Sequence, residues 1–180
     1  MGLQKNTLQS HQLNFSHKIK QSWLVNFKSH FSENKTSSEN FDQRNFTIES
    51  YDLAPKISYL FSENAEFSVL YQFTNKENLL GERENLKQQK MGLEFTYNQS
   101  ENYSINGGFN FISNDFNGNA FSPVAFQMLE GLQPDNNFTW NLLFQKSITK
   151  YLDANLSYLG RKSESSNTIH TGTIQLKAYF

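Results

Sequence analysis

Apolar and polar residues alternate along almost the whole chain. Near its end, Ile174, Leu176, Ala178 and Phe180 take every second position, with Thr173, Gln175 and Lys177 between them. The same pattern runs through Leu152, Ala154, Leu156 and Tyr158, and through Phe138, Trp140, Leu142 and Phe144. Further upstream it recurs over Tyr103–Phe111, Met91–Tyr97, Phe67–Phe73, Pro55–Phe61 and Trp23–Phe27, and most weakly at Leu13 and Phe15. A period of two puts successive side chains on opposite faces of an extended strand. The pattern therefore predicts about nine strands, each with one apolar and one polar face.

The spacers between these runs alternate in length. "HKIKQS", "SENA", "NQSEN" and "SITK" are short, whereas "SENKTSSENFD", "KENLLGEREN", the segment 115–137 and "KSESSN" are longer. Short turns on one rim and longer loops on the other describe an antiparallel up-and-down meander. Only the segment 115–137 breaks the pattern. Its "SPVAFQMLEGL" neither alternates nor has the polarity of an exposed loop. Pro123 can open a helical turn, after which Phe126, Met128, Leu129 and Leu132 need cover. The expectation is a plug packed into a barrel mouth, or a docking surface for an extracellular or membrane partner.

Two closed architectures share such alternation. A lipocalin-like barrel turns its apolar face inward around a small apolar ligand, whereas a transmembrane barrel turns it outward to lipid. Large rings at successive apolar positions would overfill a small closed interior. Aromatic residues also gather at the strand ends. Trp23, Phe61, Phe67, Tyr97, Tyr103 and Tyr151 flank the short turns, and Phe31, Phe73, Phe111 and Phe138 lie near the long loops. Two aromatic girdles around an aliphatic band match the two interfaces of a bilayer. The opposite face carries Lys28, His30, Lys56, Lys90, Glu94, Asp153, Arg161 and Lys177, which suits a wetted lumen. The favoured fold is all-β, an antiparallel up-and-down transmembrane β-barrel. Residues 1–180 form one domain, and the soluble barrel is the alternative.

Composition sharpens this reading in a few places. The chain has 17 Phe and 8 Tyr but only 3 Pro and 9 Gly, which favours strands. A net charge of -1 offers no basic stripe for nucleic acid, and the absence of cysteine excludes disulfides and thiolate metal sites. The start "MGLQKNTLQS" lacks the apolar core of a signal peptide. Bacterial single-chain barrels usually have even strand counts, so about nine strands suggests part of a larger barrel.

The last third, "SPVAFQMLEGLQPDNNFTWNLLFQKSITKYLDANLSYLGRKSESSNTIHTGTIQLKAYF", resembles the C-terminal end of large outer-membrane β-barrel proteins from Bacteroidota. The resemblance implies a Gram-negative outer membrane, surrounding lipid and a C-terminus at the periplasmic rim. It also implies that Ile174, Leu176, Tyr179 and Phe180 are the signal read by the barrel-assembly machinery. The role it suggests is a membrane anchor, pore or transport component.

Catalytic and cofactor readings are weaker. Ser10-His11, Ser16-His17 and Ser29-His30 are strand neighbours, so each pair points to opposite faces and cannot act as nucleophile and base. His11, His30 and His170 are too scattered for a metal site, and Gly107-Gly108 falls within a strand rather than in a phosphate cradle. No enzymatic activity and no cofactor are expected.

Overall fold

The computed structural model describes residues 3–41, 44–99 and 102–179. They form nine strands and one short helix. The strands are β1 (Gln4–Ile19), β2 (Trp23–Ser38), β3 (Phe46–Leu60), β4 (Ala65–Asn78), β5 (Asn85–Gln99) and β6 (Tyr103–Asn117). After helix α1 (Pro123–Leu129) come β7 (Asp135–Thr149), β8 (Leu152–Ser163) and β9 (Ile169–Ala178). The sheet order is β1-β2-β3-β4-β5-β6-β7-β8-β9, every neighbouring pair is antiparallel, and β1 and β9 are its two edges. The sheet is not closed. The up-and-down architecture is the one that the alternation and the alternating spacers predict.

The strands run further than the apolar alternation does. β2 has 16 residues and continues through "SENKTSS", and β6 reaches Asn117 and β7 begins at Asp135. Stretches expected to be loops are thus strand ends, and the long connection shrinks from 115–137 to residues 118–134. Beyond the apolar band the outward row turns polar, so the apolar alternation ends although the hydrogen-bonded ladder continues. Glu33 pairs with Glu49, and Lys87 with Asp115, in these polar extensions.

Burial follows the period of two, with an inverted sense. Ser58 and Ser68 are fully or almost fully buried, as are Thr74, Asn114 and Asn137. On the opposite face Phe15, Ile57, Phe67, Val69, Leu93, Phe95, Phe109 and Leu142 are exposed. The sheet therefore curls around its polar face, where side chains crowd together, and presents its apolar face outward. A soluble barrel would curl the other way, so the lipocalin-like alternative has the wrong curvature.

Local chemistry explains some of the details. Gly160 lies under the Trp140 indole, which occupies the space that a Cβ would take. One register irregularity, between Ser147 and Thr149, absorbs an extra residue at the short-turn end of β7. The outward row of β9 lies at an edge of the sheet, with no strand beyond it. Ile174 is 74% exposed and Leu176 65%, both on the outward face of β9, and Tyr179 follows the strand with its N–H bonded to the Tyr151 carbonyl. Phe180 lies outside the described residues.

Candidate functional site: the concave face and its inward helix

The inward face of the sheet holds a polar network at mid-height and a small apolar cluster near the long-loop rim. The network begins at Asp52. Its carboxylate accepts hydrogen bonds from Gln72 Nε2 at 3.2 Å and from Thr74 Oγ1, and it faces His30 Nδ1 at 3.2 Å. Lower on the same wall, Lys56 Nζ lies 2.6 Å from Glu94 Oε2. Ser58 and Ser68 share a 2.8 Å hydrogen bond, and Gln88 Nε2 donates to Asn114 Oδ1 at 2.8 Å. Buried polar atoms need such partners, because each unpaired one costs about 1–3 kcal/mol. His30 thus meets Asp52 across the strands rather than its sequence neighbour Ser29.

Residues 118–134 fold onto this concave face. Ser122 caps α1, its Oγ accepting the Ala125 N–H at 3.0 Å, and Pro123 supplies the preset φ of the first turn. Glu130 ends the helix in the left-handed region at φ 55°. Val124, Ala125, Met128 and Leu129 are buried against Phe46, Ile48 and Leu86, with Phe116 packed alongside. Their spacing is one stripe of a helix.

Polar contacts tie the segment down at both ends. Lys76 Nζ donates to the Met128 carbonyl at 3.0 Å and lies 2.5 Å from Glu130 Oε1. Asn114 and Asn137 both donate from Nδ2 to the Gln133 carbonyl at 2.8 Å, and Arg161 reaches the Gly131 carbonyl at 3.2 Å.

Of the residues expected to need cover here, Met128 and Leu129 are fully buried and Leu132 is half-buried. Phe126 is not covered: it is 71% exposed, and Pro123 is exposed too. The buried stripe instead takes in Val124 and Ala125, because α1 turns its 124, 125, 128 and 129 side to the wall. A signal for the receiving wall does exist in the sequence. Ile48, Leu86, Ile112 and Phe116 are apolar but out of phase with the outward rows of their strands. Lys76 was hidden because it falls in a stretch that reads as loop.

The outward face shows where an apolar medium would begin and end. Trp23 to Phe31 on β2 and Tyr51 to Tyr59 on β3 each cover about the 9–11 residues with which a tilted strand crosses a bilayer. Aromatic pairs mark both limits. Trp23–Tyr59 at 4.9 Å and Tyr97–Tyr103 at 5.5 Å lie by the short turns, and Phe111–Phe138 at 5.3 Å lies by the longer loops. Beyond Phe31 and Tyr51 the outward row turns acidic at Glu33, Glu49 and Glu77. Among the described residues no group of histidine and carboxylate side chains could hold a metal ion. Among the described residues no helix is long and apolar enough to cross a membrane, which leaves crossing by strands as a separate matter.

No family model and no curated protein matches the sequence. Among solved structures, the chain is similar to OmpT, an outer membrane protein of Vibrio cholerae, in its trimer form. The TM-score is 0.62 at 10% identity, over 96% of this chain and 56% of that one. It is also similar to the outer membrane channel DcaP of Acinetobacter baumannii, with a TM-score of 0.57 at 8% identity, over 97% of this chain and 54% of that one. At such identities the likeness shows the fold alone: an antiparallel up-and-down sheet of the outer-membrane barrel kind. The chain spans little more than half the length of these structures.

Proposed function

We propose that this chain forms part of the wall of a barrel in a Gram-negative outer membrane. Its concave face lines a water-filled passage for small solutes, and residues 118–134 narrow the mouth of that passage. The observation that carries this reading is the inverted burial: rings and aliphatic side chains exposed on the convex face, serines, threonines and asparagines buried on the concave one. Only a surrounding apolar solvent makes that arrangement favourable. The short turns would lie at the periplasmic rim, and the rim with the longer loops and α1 would face outward from the cell. The outward row Ile174 and Leu176, with Tyr179 and Phe180 after it, would be presented to the barrel-assembly machinery. The resemblance of residues 120–180 to Bacteroidota barrel endings supports that assignment.

Strand parity says how such a barrel closes. With nine antiparallel strands, β1 and β9 run in the same direction. A second copy related by rotation about the membrane normal would have both its edges pointing the same way, so the two seams would be parallel. An all-antiparallel barrel instead needs an odd number of further strands between β9 and β1. Backbone groups on open edges cannot remain unpaired in hydrocarbon.

The test is conductance. The complete barrel of which this chain forms part, recovered from the outer membrane and placed in a planar bilayer, is expected to open stepwise ion channels. Deleting Ala120–Gln133 should raise the single-channel conductance. Unchanged conductance after the deletion would reject the constriction and leave the segment as a surface for an extracellular partner. Absence of channels in that complete barrel would reject the pore.

A further inference from the structure

The concave wall is not uniform. Between β3 and β4 the pairing runs from Leu53–Phe73 to Lys56–Leu70 and is interrupted at Ala54 and Pro55. Proline has no N–H to give to a ladder, so a central strand that contains it loses a bond there. On the inward side of this interruption lies a recess of about 350 Å³. Ala54 and Leu70 are among its apolar lining, and Lys28, Lys56 and Lys90 line it together with Gln72. Small residues leave the room. Ala54 carries only a methyl group, and a Cβ on Gly92 would come within 2.8 Å of Leu70 Cγ, so Leu70 leans into the space that Gly92 leaves.

The charges around the recess do not balance. Glu94 neutralises Lys56 at 2.6 Å. Asp52, above it, is already held by His30, Gln72 and Thr74. Among the described residues neither Lys28 nor Lys90 has a carboxylate within ion-pairing distance. Two uncompensated ammonium groups therefore stand beside an apolar floor. Lysines extend their methylene stems over such surfaces and keep their charge at the edge.

We propose that this recess is a binding station for a small amphiphilic anion, a carboxylate carrying an aromatic or aliphatic body. The body would lie against Ala54, Leu70 and the lysine stems, and the carboxylate would be shared between Lys28 and Lys90. A neutral ligand of the same shape would leave the ammonium groups unpaired, and a bare anion would leave the floor wet. The proposal rests on the concave face being solvent-filled, as the pore reading requires, and gives that passage a preferred class of solute.

Lysine acetylation followed by mass spectrometry tests it, using the complete barrel that contains this chain, in detergent micelles, with benzoate as probe. Benzoate is expected to slow modification of Lys28 and Lys90 several-fold while leaving the outward Lys162 unchanged. Benzyl alcohol, which is neutral, and acetate, which lacks the apolar body, should not protect. Ala54→Phe fills the floor without touching a charge and should abolish protection. If that variant fails to show heat-modifiable migration, the double change Lys28→Gln and Lys90→Gln, followed by calorimetric titration with benzoate, replaces it and should remove binding. Equal protection by acetate, or none by benzoate, overturns the proposal. Migration of a folded barrel without protection would reject the site and spare the barrel. Protection without channels in a bilayer would do the reverse.

Discussion

Leu142 and Asn141 are adjacent on β7 and lie on opposite faces of the sheet. Leu142 is exposed on the convex face, and Asn141 points inward, where its Oδ1 occupies the space over Gly108. Arginine at Leu142 would bring a charge to the middle of the apolar band, at a cost of about 2–4 kcal/mol if lipid surrounds it. Arginine at Asn141 would meet water and should cost far less. Urea unfolding of the two variants in vesicles reads the difference, and equal losses would contradict the outward placement of lipid. A second contrast comes from Glu49, which sits directly between Glu33 and Glu77 across β2, β3 and β4. Like charges facing one another destabilise a sheet, so Glu49→Lys should raise stability by roughly 0.2–1 kcal/mol, more at low salt than at high. A loss of stability in the same unfolding measurement would show that the carboxylates are held by something else.

At the scale of elements, alternation made the strands legible because each outward row must be apolar over the width of the band. It made their ends illegible for the same reason: above Phe31, Tyr51 and Phe111 the outward row no longer carries apolar residues, and the ladder continues unmarked. The inward segment was legible as an exception, since "SPVAFQMLEGL" fits no strand and its proline opens a helix. Which side of α1 turns to the wall was not legible. That choice depends on Phe46 and Ile48 of β3 and Leu86 of β5, which are far apart in sequence, and on Lys76 reaching the end of the helix. Lys76→Met should therefore loosen the segment without disturbing the sheet. A charge-assisted hydrogen bond contributes roughly 1.5–3 kcal/mol. Here the lower part of that range applies, because Glu130 is largely exposed and screened. Limited proteolysis should then cut between residues 118 and 134 several-fold faster, with the heat-modifiable migration unchanged. Equal cleavage of both proteins would show that the apolar stripe alone anchors the helix.

For the whole molecule, the decisive property is the direction of the two edges. Leu156 and Ile174 are directly opposed on β8 and β9, so Leu156→Cys with Ile174→Cys should form a disulfide on mild oxidation in the membrane. Cross-strand neighbours bring their Cα atoms to about 4.5–5.5 Å, within the range a disulfide spans. The chain contains no native cysteine to confuse the result. The same measurement applied across the edges pairs Leu13→Cys, Phe15→Cys or His17→Cys on β1 with Ile174→Cys or Leu176→Cys on β9. All five positions lie on the outward face, so together they sample several neighbouring registers of a directly joined β1 and β9. If further antiparallel strands intervene, none of these pairs cross-links within the chain. Intrachain bridges at a consistent register would establish a parallel seam and a nine-stranded barrel. Bridges between chains would instead show copies joined edge to edge. The expected outcome is that only the β8–β9 control forms its bridge, because nine antiparallel strands leave both edges pointing the same way and, in the proposed membrane setting, neither could stay unpaired.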